Sequence, residues 1–179
     1  MTYQQVTFLD GFPYPAQPFS DISAEVYARS RAGYGIVRRG ERTTSSSTTT
    51  TEAGVLRLAA PVVAGRLYLI PTSSLNLISS VAGDIIQGRL RYTTDGSNPT
   101  TSSTLLMSSA DTQATFNSEA VPIIAKYYAA TAHTLTVMLS VARIGGTGNC
   151  SIAVSTSYPT IDLMVIDQGV DPGDNGVDL

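Results

Sequence analysis

The sequence predicts an all-β protein: an antiparallel β-sandwich of the jelly-roll kind, preceded by an extended N-terminal arm with one short helix. Three observations lead there. Apolar and polar residues alternate along short runs from residue 53 onward, turn-forming residues separate those runs at close intervals, and no helical segment lies between them. Without intervening helices, parallel βαβ units are disfavoured. About eight to ten short antiparallel strands over one core then fold most readily as a two-sheet roll.

The first 52 residues lack that alternation. They carry Phe8, Phe12, Phe19, Tyr3, Tyr14, Tyr27 and Tyr34 together with Pro13, Pro15 and Pro18. Proline at this density favours an extended, polyproline-like path with few internal hydrogen bonds, so the aromatic side chains need another surface to cover them. Ser20 or Asp21 is placed to N-cap a short helix over ISAEVYARSRA that ends near Gly33. The run TTSSSTTTT at 43–51 has the composition of a linker.

The strands follow. Leu56 and Leu58 alternate in VLRLAA, Leu67 and Leu69 in RLYLI, and Ile86, Leu90 and Tyr92 in IIQGRLRYT. The clearest run is HTLTVMLSVAR, where Leu135, Val137, Leu139 and Val141 share one face. Ile152 and Val154, then Ile161, Leu163 and Val165, complete the series, with TLLMS and VPIIAKYYA as further apolar stretches. Gly65, Asp95-Gly96, Gly145-Gly146 and Gly148-Asn149 supply the turns. The expected organisation is an arm and linker over 1–52, a sandwich over 53–167 and an acidic tail over 168–179.

A chain of 179 residues suffices for one sizeable core with extensions. The single cysteine, Cys150, excludes an intramolecular disulfide and a multi-thiolate zinc site, and its place in a strand reads as a small buried residue. The N-terminus has neither the basic start nor the apolar run of a signal peptide, and no segment approaches the ~20 apolar residues of a membrane span. The expectation is synthesis in a cytoplasm and no membrane partner. Charge is unevenly placed: Arg29, Arg31, Arg38, Arg39 and Arg42 cluster, whereas Asp162, Asp167, Asp171, Asp174 and Asp178 close the chain with no base among them. Opposed ends suit contact between copies or with a charged neighbour. The basic cluster is too short for a nucleic-acid site, since phosphate affinity scales with the charges neutralised.

Motifs of catalysis are weak. A triad would need His133, the single histidine, at the head of a strand with no recognisable partner, and no GxSxG elbow exists. Asp84, Asp95, Asp111 and Glu119 fall in apparent turns, where capping explains them. Asp171-Pro-Gly-Asp174-Asn-Gly offers oxygens for calcium but lacks EF-hand spacing and the terminal Glu. Gly33-Tyr-Gly35-Ile-Val-Arg38 has Arg where a dinucleotide fingerprint needs its third glycine. No catalytic residue, cofactor or metal site is expected.

Two resemblances bear on function. RYTTDGSNPTTSSTLL, residues 91–106, resembles the YTxDGSxPTxxS signature of the chitobiase C-terminal, immunoglobulin-like module, an accessory β-sandwich found beside glycosidase domains. More widely, GVLRLAAPVVAGRLYLIPTSSLNL, RYTTDGSNPTTSSTLL, AHTLTVMLSVARIGGTGNCSIAVS and IDLMVIDQGVDPGDNGVDL are similar, in order and texture, to minor virion proteins of tailed phages infecting actinobacteria. Those in turn resemble complement-C1q or tumour-necrosis-factor-like jelly rolls. This second resemblance covers roughly residues 54–179 and implies a structural head, collar or tail component in symmetric homo-oligomers.

The expected function is therefore non-enzymatic: a virion component fastened by its arm, through Phe8, Phe12, Tyr14, Phe19, Tyr34, Arg38 and Arg39, to other virion proteins. Its jelly roll would associate with copies of itself, with a trimer favoured. The alternative is a carbohydrate-binding host-adhesion module, with a surface glycan held by Tyr92, Asp95, Tyr127 and Tyr128. Several tyrosines on one exposed face would support that alternative; scattered burial would support the structural reading.

Overall fold

The run HTLTVMLSVARIG builds the longest strand among the described residues, His133–Gly145, with Leu135, Val137, Leu139 and Val141 fully buried on one side. This computed structural model describes residues 35–112 and 120–171, within a compact unit spanning Tyr34–Leu179. The expected helix, and Phe8, Phe12, Tyr14, Phe19 and Tyr34, lie outside the described residues. The described strands are β1 (Gly35–Arg42), β2 (Ala53–Val62), β3 (Arg66–Pro71), β4 (Leu75–Ser79), β5 (Ile85–Thr93) and β6 (Thr104–Thr112). They continue with β7 (Ala120–Val121), β8 (Ile124–Ala129), β9 (His133–Gly145), β10 (Cys150–Ala153) and β11 (Ile161–Val170).

Two four-stranded antiparallel sheets carry the fold, in the orders β1-β11-β3-β8 and β2-β9-β5-β6, with a smaller sheet β10-β4-β7 beside them. Setting aside the short β4, β7 and β10, the remaining eight strands taken in sequence occupy positions first-eighth-third-sixth in one sheet and second-seventh-fourth-fifth in the other. Only the β5-β6 hairpin keeps consecutive strands in one sheet; every other connection crosses between sheets. That is the winding of a jelly roll.

The core lies between the sheets. The inward side of β9 shares it with Leu58, Ala60 and Val62 of β2, Ile86 and Leu90 of β5, Tyr68 and Ile70 of β3, and Leu163 and Val165 of β11. Burying each of the larger aliphatic side chains contributes about 1.5–3 kcal/mol. In RLYLI the core takes Tyr68 and Ile70, so Leu67 and Leu69 face the other way.

Among the described residues the sandwich already includes Gly35–Arg42, ahead of the expected start at residue 53. GIVRRGER forms β1, an edge strand whose arginines and glutamate disguise it in sequence, as charge often does on a sheet edge. The Ser/Thr run that follows is pinned along β10. Thr49 exchanges backbone hydrogen bonds with Cys150, and Ser46 N–H donates to Ile152 O. The Ser46 and Ser45 hydroxyl oxygens accept from the Ile152 and Val154 N–H groups at 2.9 Å each. Arg42 adds donors to the Thr44, Ser45 and Val55 carbonyls. Hydroxyls that read as linker composition thus substitute for ladder partners.

Part of the opposed charge read in the sequence is paired within one chain, because β11 lies between β1 and β3. Arg39 donates to Asp162 at 2.9 Å, and the Arg66 guanidinium meets Asp167 at 2.8 Å in a buried pair. β11 runs through Val170, so the tail starts later than the sequence suggested.

Candidate functional site

The two main sheets present opposite kinds of outer surface. On β2-β9-β5-β6 the side away from the core carries Arg57, Gln87, Arg89, Arg91, Thr93, Thr136 and Ser140, which register places side by side around Met138, with Thr136, Met138 and Ser140 buried. Glu52, just ahead of β2, reaches over β9 to the β5 arginines. Its Oε1 accepts from Arg91 Nε at 2.5 Å and from the Ser140 hydroxyl at 2.7 Å, and its Oε2 from Arg89 at 2.6 Å and Arg91 at 2.7 Å. Burial pushes the Glu52 carboxyl up, but the hydrogen bonds from Arg91, Ser140 and Arg89, with the Arg91 charge, outweigh it and hold the group down at about 2.

On β1-β11-β3-β8 the outward side is apolar. Alternation turns Arg66, Tyr68 and Ile70 into the molecule and leaves Leu67, Leu69 and Pro71 facing out. Likewise Ala125 and Ala129 are buried while Ile124, Lys126 and Tyr128 are exposed. Register aligns these residues in rows: Arg39, Met164, Pro71 and Ile124; then Ile36, Ile166, Leu69 and Lys126; then Leu67 and Tyr128. Ile36, Ile124 and Tyr128 are 61%, 54% and 51% exposed, values that exclude core packing for the rim of this face. Four strands ~4.8 Å apart and three rows ~6.7 Å apart outline roughly 19 by 20 Å, about 400 Å². The outline takes in Arg39 and Lys126 at its edges, and its apolar part is comparable with the largest patch on an ordinary monomer, a kind of patch that is often functional. Charge is confined to its margins, with Lys126 at the β8 edge and Arg39, Glu41 and Asp162 at the other.

The sequence-predicted residues are placed as follows. Arg38 donates from Nε to the Ala59 carbonyl and Arg39 is committed to Asp162 and Glu41, so both belong to the sandwich. Tyr92 and Tyr127 meet edge to face with ring centroids 5.4 Å apart. Tyr127 also donates its hydroxyl to His133 Nε2 at 2.8 Å, while His133 Nδ1–H donates to the Thr131 carbonyl at 2.7 Å. His133 therefore has a partner, a tyrosine rather than a carboxylate and serine. Burial, with Tyr92 second, pushes the Tyr127 phenol up. Tyr128 points to the opposite side of its sheet, and Tyr68 is buried. Asp95 is occupied in its own turn, where its carboxylate accepts from the Ser97 hydroxyl at 2.6 Å and the Ser97 N–H at 2.9 Å, with Gly96 at φ +78 completing the bend. These bonds hold the Asp95 carboxyl below the usual range. No single exposed tyrosine platform forms from these residues. Cys150 is buried, and burial pushes its thiol up.

Asp84 is a buried anchor. Its carboxylate accepts from the Ser79 hydroxyl at 2.6 Å and from the Thr147 and Gly148 N–H groups at 2.9 and 2.8 Å, which keeps it below the usual carboxylate range. Arg143 closes the loop by donating to the Gly148 carbonyl. Among the described residues no group of three or more His, Cys, Asp or Glu side chains could hold a metal ion, and no helix is long and apolar enough to cross a membrane.

Fold and site together define an antiparallel jelly roll with one polar and one apolar outer sheet. No protein-family model and no curated protein matches the chain. Among solved structures it is similar to Eiger TNF from S. frugiperda, at 14% identity and a TM-score of 0.34, covering 82% of this chain and 100% of that one. It is also similar to a chain in the structure of the infectious bursal disease virus Gx strain, at 13% identity and a TM-score of 0.27, and to one in that of the Gt strain, at 12% and 0.26. The chain spans 37% and 38% of those two. The jelly-roll assignment itself rests on strand order.

Proposed function

We propose that the protein is a non-enzymatic structural component of a tailed-phage virion, made in the host cytoplasm and assembled as a homo-oligomer, with a trimer favoured. The observation that carries this reading is the contrast between the two outer sheets. An apolar face of four strands is stabilised by burial against other protein, whereas on the other sheet Glu52, Arg89, Arg91 and Ser140 satisfy one another within the chain. The sequence resemblance to phage virion proteins supplies the setting. Residues ahead of β1, with Phe8, Phe12, Tyr14 and Phe19 as anchors, fasten the domain to other virion proteins. The scattered placement of Tyr68, Tyr92, Tyr127 and Tyr128 supports assembly over a glycan-binding role.

The test is co-sedimentation of the full chain, and of a Phe8→Ala/Phe12→Ala/Phe19→Ala variant, with particles stripped of this protein and separately with host cell-wall fragments. Pelleting of the wild type with particles, and its loss in the variant, is the expected result. Pelleting of both with cell wall and of neither with particles would make the protein an adhesin.

A further inference from the structure

The apolar face of β1-β11-β3-β8 ends in two unbalanced charges of opposite sign. At one margin Arg39 lies 2.9 Å from Asp162 and 3.4 Å from Glu41, so two carboxylates share one guanidinium and a net negative charge is left over. At the other margin Lys126 stands on β8 opposite Leu69, exposed, and makes no hydrogen bond or ion pair with any described residue. Between them lie Ile36, Met164, Ile166, Leu69 and Ile124.

Covering those apolar rows with another protein removes water from both margins. A charge withdrawn from water without a counter-charge is costly, so whatever covers the face must bring a cation to the carboxylate margin and an anion to Lys126. A second copy of this chain brings both. Resting on the reading that the face joins copies, we propose that Lys126 of one copy pairs with Glu41, beside Asp162, at the opposite margin of a neighbouring copy's face. The β8 edge then always meets a β1-β11 edge, and arrangements that bring two β8 edges together are rejected by repulsion between the two lysines.

The test uses charge reversal in the full chain: Lys126→Glu, Glu41→Lys and the double exchange, with oligomer mass read by native mass spectrometry and dissociation followed by sedimentation velocity at low and high salt. Both residues are exposed, and circular dichroism melting checks that each variant folds. Each single reversal is expected to weaken assembly by roughly tenfold to a hundredfold, and the double exchange to restore most of it. Wild-type assembly should weaken with salt. An assembled wild type alongside an indifferent Lys126→Glu variant, or a double exchange no better than the singles, overturns the pairing alone. A wild type that stays monomeric at every concentration overturns self-association through this face, and the pairing with it.

Discussion

Replacing Glu52 with Gln keeps the shape of the side chain and removes the charge that Arg89, Arg91 and Ser140 surround. The size of the loss follows from linkage. The folded carboxyl sits at about 2 against an ordinary 4.5, a gap of roughly 2.5 units, and each unit is worth about 1.36 kcal/mol, so the ceiling is about 3.4 kcal/mol. The clamp is not sealed from water, with the Arg89 side chain 22% exposed, and screening reduces this to about 2 kcal/mol. Because the folded value is depressed, the stabilisation is fully present above about pH 4.5 and is lost as pH falls towards 2. Urea unfolding of wild type and Glu52→Gln at pH 7, 5, 4, 3 and 2 should show a gap of about 2 kcal/mol at pH 7 that closes across that window. Taking the difference at each pH cancels the other carboxylates. A gap that is absent at pH 7, or that stays constant down to pH 2, would refute the clamp as an electrostatic element.

Two further outcomes follow from local geometry. Gly146 lies at φ +93, and a Cβ there would run into the Asp84 carboxylate, so Gly146→Ala should cost at least about 1–2 kcal/mol from the backbone alone and lower the melting temperature by roughly 2–8 °C by calorimetry. Leu69→Glu puts a charge at the centre of the apolar sheet face without touching the core; gel filtration with light scattering should show monomers, at a melting temperature no lower than that of dissociated wild type.

How much of this was legible in the sequence depended on whether a strand has one apolar side or two. HTLTVMLSVAR declared itself because Leu135, Val137, Leu139 and Val141 alternate with smaller or polar residues, and the β5-β6 turn declared itself through Asp95-Gly96. RLYLIP and IDLMVI did not, since both sides are apolar and periodicity alone cannot say which is inside. The signal for the apolar outer face was that loss of alternation, in two runs that the fold makes neighbours. β1 was hidden for the opposite reason: an edge strand of mostly charged and glycine residues carries no hydrophobic pattern. Its partner β11 lies more than a hundred residues away, so the Arg39–Asp162 pair could only be seen once the roll was closed.

The pairing of β1 with β11 also sets a direction. Gly35 lies opposite Asp167, and Val170 opposite Arg66, so β1 begins and β11 ends at the same pole. Thr93 and His133 lie at that pole too, with the DGSNPT turn, while Ile85, Gly145 and the Asp84 loop mark the far one. A ring of such domains about one axis has two unlike rims. One carries Gly35, Val170 and the DGSNPT turn; the other carries the Asp84-anchored loops, with Val81 and Ile144 exposed among them. Any such ring is polar along its axis, and a partner meets different chemistry at its two ends.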